Sequence, residues 1–343
     1  MTRLRLALPS EGALYEAAGG LMRSCGLAVY RPSARRYNAE IPTLAGVEVL
    51  FQRASDITQE VDAGSADLGM VGLDRFQESR REGGDTALLI DDLGFGQARL
   101  VLAVPDEWFT VASVSDLARC ASERQGEGRA LRIATKYPRL LEGFLARHGI
   151  SHFTLVQASG GLEAAPMIGY ADLIADISAS GATLRENRLR PLTDGVVLES
   201  RATLIGNLVT LREDDGKLAL TRELLERVEA HLRAQAFQWI VANIEGESPE
   251  AVAERVMSRP EYSGLQGPTL APVFSRDGSR WFSVQVVVPK ERLIGAIDHM
   301  RDLGASGITI NDPAYVFQTP CEAYASLLEK LGRPLPPSGG GRG

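Results

Sequence analysis

An apolar strand that carries a carboxylate and runs straight into a loop of small residues leaves a chain few options, and this one has it at Leu173 to Leu184. Leu173, Ile174, Ala175, Asp176 and Ile177 have the length and content of a short buried strand. Ser178, Ala179, Ser180, Gly181, Ala182, Thr183 and Leu184 then supply the turn that opens a helix. Backbone N–H groups at such a turn converge on an anion, small side chains let it approach, and the helix dipole adds to the attraction. Asp172 and Asp176 are placed to accept hydrogen bonds from ribose hydroxyls. The same pattern also describes an ordinary strand, turn and helix in which Gly181 only permits a tight turn.

From Arg3 to about Ile205 the pattern repeats. Short apolar strands, among them Leu4–Leu8, Val47–Phe51, Leu68–Val71, Leu100–Val104, Arg132–Ala134, Thr154–Gln157 and Leu192–Leu198, alternate with amphipathic helices. That alternation predicts an α/β architecture. One predicted helix, Glu11–Cys25, lines up Leu14, Ala17, Ala18, Leu21, Met22 and Cys25 on one face and is closed by Gly26.

After Lys217 the character changes. The spacing predicts a long helix over Leu218–Gln238, then strand Trp239–Ile244 and helix Pro249–Met257, with Ser248 as its cap and Pro249 in its first position. Strands Thr269–Phe274 and Trp281–Val288, helix Lys290–Leu303 and strand Ile308–Asn311 complete a βαββαβ order, which is ferredoxin-like. Thr319–Leu331 reads as a short helix, and Arg333 to Gly343 as a disordered tail by composition.

Charge and cysteine content narrow the function. A formal net charge of −7 argues against a generic nucleic-acid or membrane surface, so an anionic ligand must be met by local cations. Cys25, Cys120 and Cys321 are odd in number and far apart, which suggests neither a disulfide framework nor a metal site and fits a reducing cytoplasm. No apolar run is long enough to span a bilayer, and Pro9, Ser10 and Glu11 interrupt the N-terminus before a signal peptide develops.

The segment GYADLIADISASGATLRENRL, preceded by Glu163-Ala164-Ala165-Pro166, is similar to the phosphoribosyl-diphosphate motif of the ATP phosphoribosyltransferase family. GSADLGMVGLD at 64–74, GFGQARLVLAVP at 94–105 and LRIATKYPRLLEGFLARHGI at 131–150 resemble that family in the same order and spacing. The resemblance implies the long form of the enzyme: a bilobal, periplasmic-binding-protein-like α/β core followed by a ferredoxin-like regulatory domain. It places a nucleotide lobe at 1–105 and 191–216, a phosphoribosyl-diphosphate lobe at 106–190, a connecting helix and regulatory domain at 217–318, and a C-terminal helix and tail at 319–343.

The implied chemistry is transfer of phosphoribosyl to N1 of ATP with release of diphosphate, the first step of histidine biosynthesis, with Mg²⁺ on the diphosphate and feedback inhibition by histidine. The implied oligomer is a hexamer or a dimer. Carried over by position, Lys136, Glu163, Asp172, Asp176, Ser178, Ser180, Gly181, Ala182, Thr183 and Leu184 would bind phosphoribosyl diphosphate. Gly12, Arg53, Asp74 and Arg99 would bind the nucleotide, and Thr269 and Ala305 would contact histidine. No side chain is assigned as a catalytic nucleophile, because displacement at an oxocarbenium-like centre needs none.

The first lobe departs from the family. Where Pro-x-Lys-Gly-Arg is usual the chain has Pro9-Ser10-Glu11-Gly12-Ala13, and where Arg-x-Arg-Asp-Ile is usual it has Arg53-Ala54-Ser55-Asp56-Ile57. Two readings therefore stand beside the first: a paralogue that uses another acceptor, and a non-catalytic subunit that only senses a ligand in the cleft.

Overall fold

The computed structural model describes residues 3–33, 35–157 and 161–335. It divides into two compact units, one built mainly of residues 27–221 and the other mainly of 222–329. The boundary falls inside one long helix.

The first unit holds two sheets. The chain begins with β1 (Leu4–Pro9), α1 (Ala13–Ser24), β2 (Asn38–Glu40), β3 (Val47–Gln52), α2 (Ile57–Asp62), β4 (Leu68–Gly72), α3 (Leu73–Ser79) and β5 (Thr86–Ile90). It then leaves to build β6 (Ala98–Pro105), α4 (Val114–Gly126), β7 (Leu131–Thr135), α5 (Pro138–Arg147), β8 (Phe153–Gln157), β9 (Leu173–Ser178), α6 (Ala182–Glu186) and β10 (Leu189–Ser200). With β11 (Ala202–Asn207) it returns, followed by α7 (Leu208–Glu213) and α8 (Asp215–Ala234). The six-stranded sheet runs β2-β3-β1-β4-β11-β5 and the five-stranded sheet β10-β6-β9-β7-β8. Two connections, after β5 and after β10, thus join two lobes, the bilobal arrangement expected from the sequence.

Alternation builds the second lobe. Along β6, Leu102 and Val104 pack with Val114, Leu117, Ile133, Leu141 and Phe144 on one face, while Val101 and Ala103 pack with Leu162, Ile174 and Leu184 on the other. Both faces of β6 are covered, so Leu100 to Val104 is an unbroken apolar run. Helix α4 starts at a reciprocal cap: Ser113 Oγ accepts from Asp116 N at 3.2 Å while the Asp116 carboxylate accepts from Ser113 N at 3.1 Å. Strand β10 is longer than the expected Leu192–Leu198, because it follows β6 for the whole return journey through two register irregularities.

The second unit contains β12 (Phe237–Glu245), α9 (Pro249–Met257), β13 (Thr269–Phe274), β14 (Arg280–Pro289), α10 (Leu293–Asp302), β15 (Ser306–Asn311) and α11 (Glu322–Leu331). Its sheet order, β13-β14-β12-β15 with every pair antiparallel, is the ferredoxin-like arrangement. Ser248 caps α9 through Ala251 N, with Pro249 in the first turn, as the sequence predicts. The predicted helix to Gln238 stops instead at Ala234, since Phe237 and Gln238 are already paired with Pro289 and Val288 of β14. The last helix begins three residues later than predicted, beyond Pro320, which offers no N–H to a helix interior. Most of the tail read as disordered, residues 336–343, lies outside the described residues. Among the described residues no helix is long and apolar enough to cross a membrane.

Candidate functional site

Parallel pairing of β7 and β9 brings the site together. Thr135 is in register with Ala175, so Lys136, just past the end of β7, comes beside Asp176 within β9. Thr135 Oγ1 donates to Ala175 O at 2.8 Å and accepts from Tyr137 N at 3.0 Å, tying the Lys136-Tyr137 turn to β9. Asp176 is half-buried, and its carboxylate accepts from Ile177 N at 2.8 Å. Burial raises its pKa above the ordinary carboxylate value, the Glu163 charge adds to the rise, and the charges of Lys136 and Arg75 oppose it. Asp176, Lys136, Glu163 and Arg75 therefore share one neighbourhood, where a sugar with an anionic substituent meets both acceptors and cations.

The loop after β9 has the form the sequence suggests. Gly181 sits at φ +73°, in the left-handed region. Ser178 Oγ accepts from Gly181 N at 3.1 Å and Ser180 Oγ from Ala182 N at 3.3 Å. Ser180, Ala182 and Thr183 are exposed, whereas the Leu184 side chain is buried in the core, so only its backbone is available to a ligand. Helix α6 has only five residues, and its dipole is correspondingly weak. Anion binding here must rest on the loop's own N–H and O–H groups.

Not every expected residue joins this cluster. Asp172 precedes β9 at the end remote from the loop, where Arg124 and Arg132 each hold its carboxylate at 3.0 Å. Burial raises its pKa, but those contacts outweigh burial and lower the value, and they hold the carboxylate in an ion pair within the lobe. Arg99, expected on the nucleotide lobe, lies instead in the second-lobe sheet opposite Ser178, and cross-strand partners share a face. It is exposed beside the start of the loop.

Gly12 and Arg53 follow the neighbouring parallel strands β1 and β3, whose ends are linked by Ser10 N donating to Gln52 O at 2.7 Å. Both are exposed, as are Glu11, Ala13 and Ser55. Asp74 behaves differently. It is buried at the start of α3, and both carboxylate oxygens are engaged, one by Ser200 Oγ at 2.6 Å and the other by the Tyr137 hydroxyl at 2.7 Å. Asp74 thus links the lobes, with each carboxylate oxygen accepting a hydrogen bond within the protein. Burial foremost, and then the Asp74 charge, push the Tyr137 phenol well above its ordinary value, so it remains a donor. The Arg75 guanidinium lies over the Tyr137 ring at 4.3 Å. Sequence reasoning missed Arg75, Tyr137 and Ser200, and the only trace was an aromatic residue just before Pro138 at a strand-to-helix junction.

In the second unit Thr269 lines a cavity of about 340 Å³ with Trp239, Leu265, Gln266, Gly267, Gln285, Val286 and Val287. Ala305 does not reach it. It packs against the helix-side core beside β15, at the opposite edge of the sheet from β13. Three strand spacings of ~4.8 Å separate the two edges. No group of three metal-binding side chains occurs among the described residues.

Residues 53–230 match the family profile described as HisG, ATP phosphoribosyltransferase, and residues 234–312 match the HisG C-terminal domain. ATP phosphoribosyltransferase 1, chloroplastic, of Arabidopsis thaliana is 39% identical over 96% of this chain and 81% of the plant protein. The ATP phosphoribosyltransferase of Nitrobacter winogradskyi is 34% identical over 96% of this chain and 98% of its own length. A chain of the Thermotoga maritima ATP phosphoribosyltransferase (HisG:HisZ) complex superposes with a TM-score of 0.50 at 26% identity, covering 66% of this chain and 98% of that one. With a matching core, a matching C-terminal domain and relatives of the same activity along nearly its whole length, the chain belongs to the ATP phosphoribosyltransferase family.

Proposed function

We propose that the reaction of this family takes place at the C-terminal ends of the adjacent strands β7 and β9 of the second lobe, and the observation that carries this reading is the grouping of Lys136 and Glu163 around Asp176, two residues before the Ser178–Leu184 loop. The C1–O bond of phosphoribosyl diphosphate breaks, N1 of ATP forms the new bond to C1 with inversion, and diphosphate leaves. Positioning two polyanions and shielding their charge is the protein's main task. The loop holds the 5′-phosphate, Asp176 accepts from the ribose hydroxyls, and Lys136 faces the diphosphate. Glu163 and Asp176 fit a Mg²⁺ ion that arrives on the substrate, because Mg²⁺ is commonly held by one or two carboxylates plus phosphates. Such an ion, when bound, would supply charge neutralisation on the leaving group. Three unpaired cysteines are compatible with a cytoplasmic location.

The exposure of Glu11, Ala13 and Ser55 bears on the acceptor. In solvent the effective dielectric is high and salt screens, so Glu11 repels a phosphate far less than the ~4 kcal/mol of a 4 Å pair at a dielectric of about 20. ATP is accordingly the acceptor, with affinity below that of a fully cationic first lobe. Diphosphate release measured with ATP and a panel of other bases tests this. Turnover is expected with ATP, and Glu11→Lys, Ala13→Arg and Ser55→Arg together should lower its KM several-fold, most visibly at low salt. Release with another base and none with ATP would establish the different-acceptor reading. No release with any base, while phosphoribosyl diphosphate still binds, would establish a sensing subunit.

Histidine binding is assigned to the second unit. Because Thr269 and Ala305 lie at opposite edges of one sheet, a pocket using both needs two copies of the chain, which supports a homo-oligomer. Inhibition then follows if histidine prefers an inactive arrangement of copies. Thr269→Arg, at the exposed rim of the cavity, should raise the half-inhibitory histidine concentration at least tenfold without altering histidine-free turnover. Unchanged inhibition curves would remove Thr269 from the pocket.

A further inference from the structure

Helix α5 of the second lobe begins without a cap of its own. Its N-cap residue is Tyr137, whose side chain makes no capping hydrogen bond, whereas Ser, Thr, Asp or Asn is the usual solution. The missing acceptor comes from the other lobe. Glu78, in the last turn of α3, accepts from Arg139 N at 2.9 Å through one oxygen and from Leu140 N at 3.0 Å through the other. Two of the orphan amides of α5 are thereby satisfied by a carboxylate some sixty residues earlier in the chain, and its negative charge complements the helix dipole.

The rest of the junction follows the same line. Arg139 donates from Nη1 to Arg80 O at 2.6 Å and pairs with Glu82 at 3.1 Å. One turn back along α3, Asp74 accepts from the Tyr137 hydroxyl, and Arg75 donates to Lys136 O at 3.4 Å. The residues that these bonds hold, Lys136, Tyr137, Arg139 and Leu140, all lie within one five-residue stretch. Both lobes lie in one compact unit, and Asp74 is also bonded to Ser200, at the end of the return strand β10.

We propose that Glu78 is a positioning residue for phosphoribosyl diphosphate: by capping α5 from the opposite lobe it makes the placement of Lys136 depend on the lobes being together. Opening the cleft withdraws the carboxylate from Arg139 N and Leu140 N and frees the turn that carries Lys136. Binding at Lys136 and closure of the lobes therefore favour one another, since a ligand that prefers the closed state draws the population toward it. The functional part of this inference rests on the assignment of the diphosphate to Lys136.

The test uses the full-length protein. Glu78→Ala should raise the KM for phosphoribosyl diphosphate about tenfold, with kcat changed less than threefold, and should speed hydrogen exchange at the Arg139 and Leu140 amides. Glu78→Gln, which keeps one acceptor oxygen, should fall between. If Glu78→Ala does not fold, Glu78→Gln and Tyr137→Phe serve, each expected to raise the same KM. Lys136→Ala separates two kinds of failure. An unchanged KM in Lys136→Ala overturns the diphosphate assignment and with it Lys136 as the group Glu78 positions. A raised KM in Lys136→Ala beside normal KM and normal amide exchange in the Glu78 variants overturns the interlobe cap alone. A lower Tm with KM unaltered would reduce Glu78 to a stabilising contact and likewise overturn the proposal.

Discussion

Gly181→Val should reduce affinity for phosphoribosyl diphosphate by at least a hundredfold in calorimetry while thermal unfolding stays cooperative. Gly181 sits at φ +73°, a region that β-branched residues avoid at a cost of roughly 1–3 kcal/mol. A Cβ at this position would stand 2.9 Å from Arg185 Nη1, the mobile end of a long side chain, so steric conflict inside the protein is mild. The damage falls on the ligand instead. The loop must re-thread to relieve φ, the Gly181 and Ala182 amides turn away from their present directions, and the isopropyl group occupies space a phosphate needs. Gly181→Ala, with the same φ problem and less bulk, should lose less. Wild-type affinity in the valine variant would remove the loop from the site.

Asp176→Ala should lower kcat/KM by roughly 10- to 150-fold, the range that corresponds to ~1.5–3 kcal/mol for hydrogen bonds to a charged group. The pH profile adds a check with a definite sign. Burial, the largest influence on Asp176, raises its pKa, while the hydrogen bond from Ile177 N and the charges of Lys136 and Arg75 pull it down only in part. If the ionised carboxylate is the form that accepts from the ribose, kcat/KM must fall as the pH drops through a value above the ~3.9 of an ordinary aspartate. Asp176→Asn should flatten that acid limb at a reduced plateau. An unshifted acid limb in Asp176→Asn would show that another group governs it, and full activity in Asp176→Ala would show that the carboxylate faces elsewhere.

The contrast between Asp176 and Asp172 shows how far a strand can be read from its letters. Both precede or interrupt the same apolar run, and period-2 alternation puts both on one side of it. What separates them is that β7 runs parallel to β9, delivering Lys136 to the Asp176 end and Arg132 to the Asp172 end. The pairing partner, not the strand, assigns the roles. Arg99 makes the same point: it reads as a first-lobe cation until β6 is seen to pair with β9.

Local rules carried the elements themselves. Short apolar runs located β6, β7 and β9, Ser248 and Pro249 announced α9, Gly26 marked the end of α1, and the small residues from Ser178 to Thr183 marked the loop after β9. Each depends on neighbours a few residues apart, so local pattern could determine the α/β alternation of the core, the βαββαβ order of the second unit and the loop as a candidate anion site, whereas the division of the core into two sheets rests on which strands pair. The junction between the lobes had no such local mark. Tyr137 meets Asp74 across 63 residues, Ser200 meets it across 126, and Glu78 completes a helix whose own N-cap residue is silent. These groups acquire meaning only when the two lobes bring α3, the start of α5 and the end of β10 together, because a hydrogen bond is decided by distance in space and each of these residues, read in its own segment, is an ordinary polar or aromatic side chain at the end of a strand or helix.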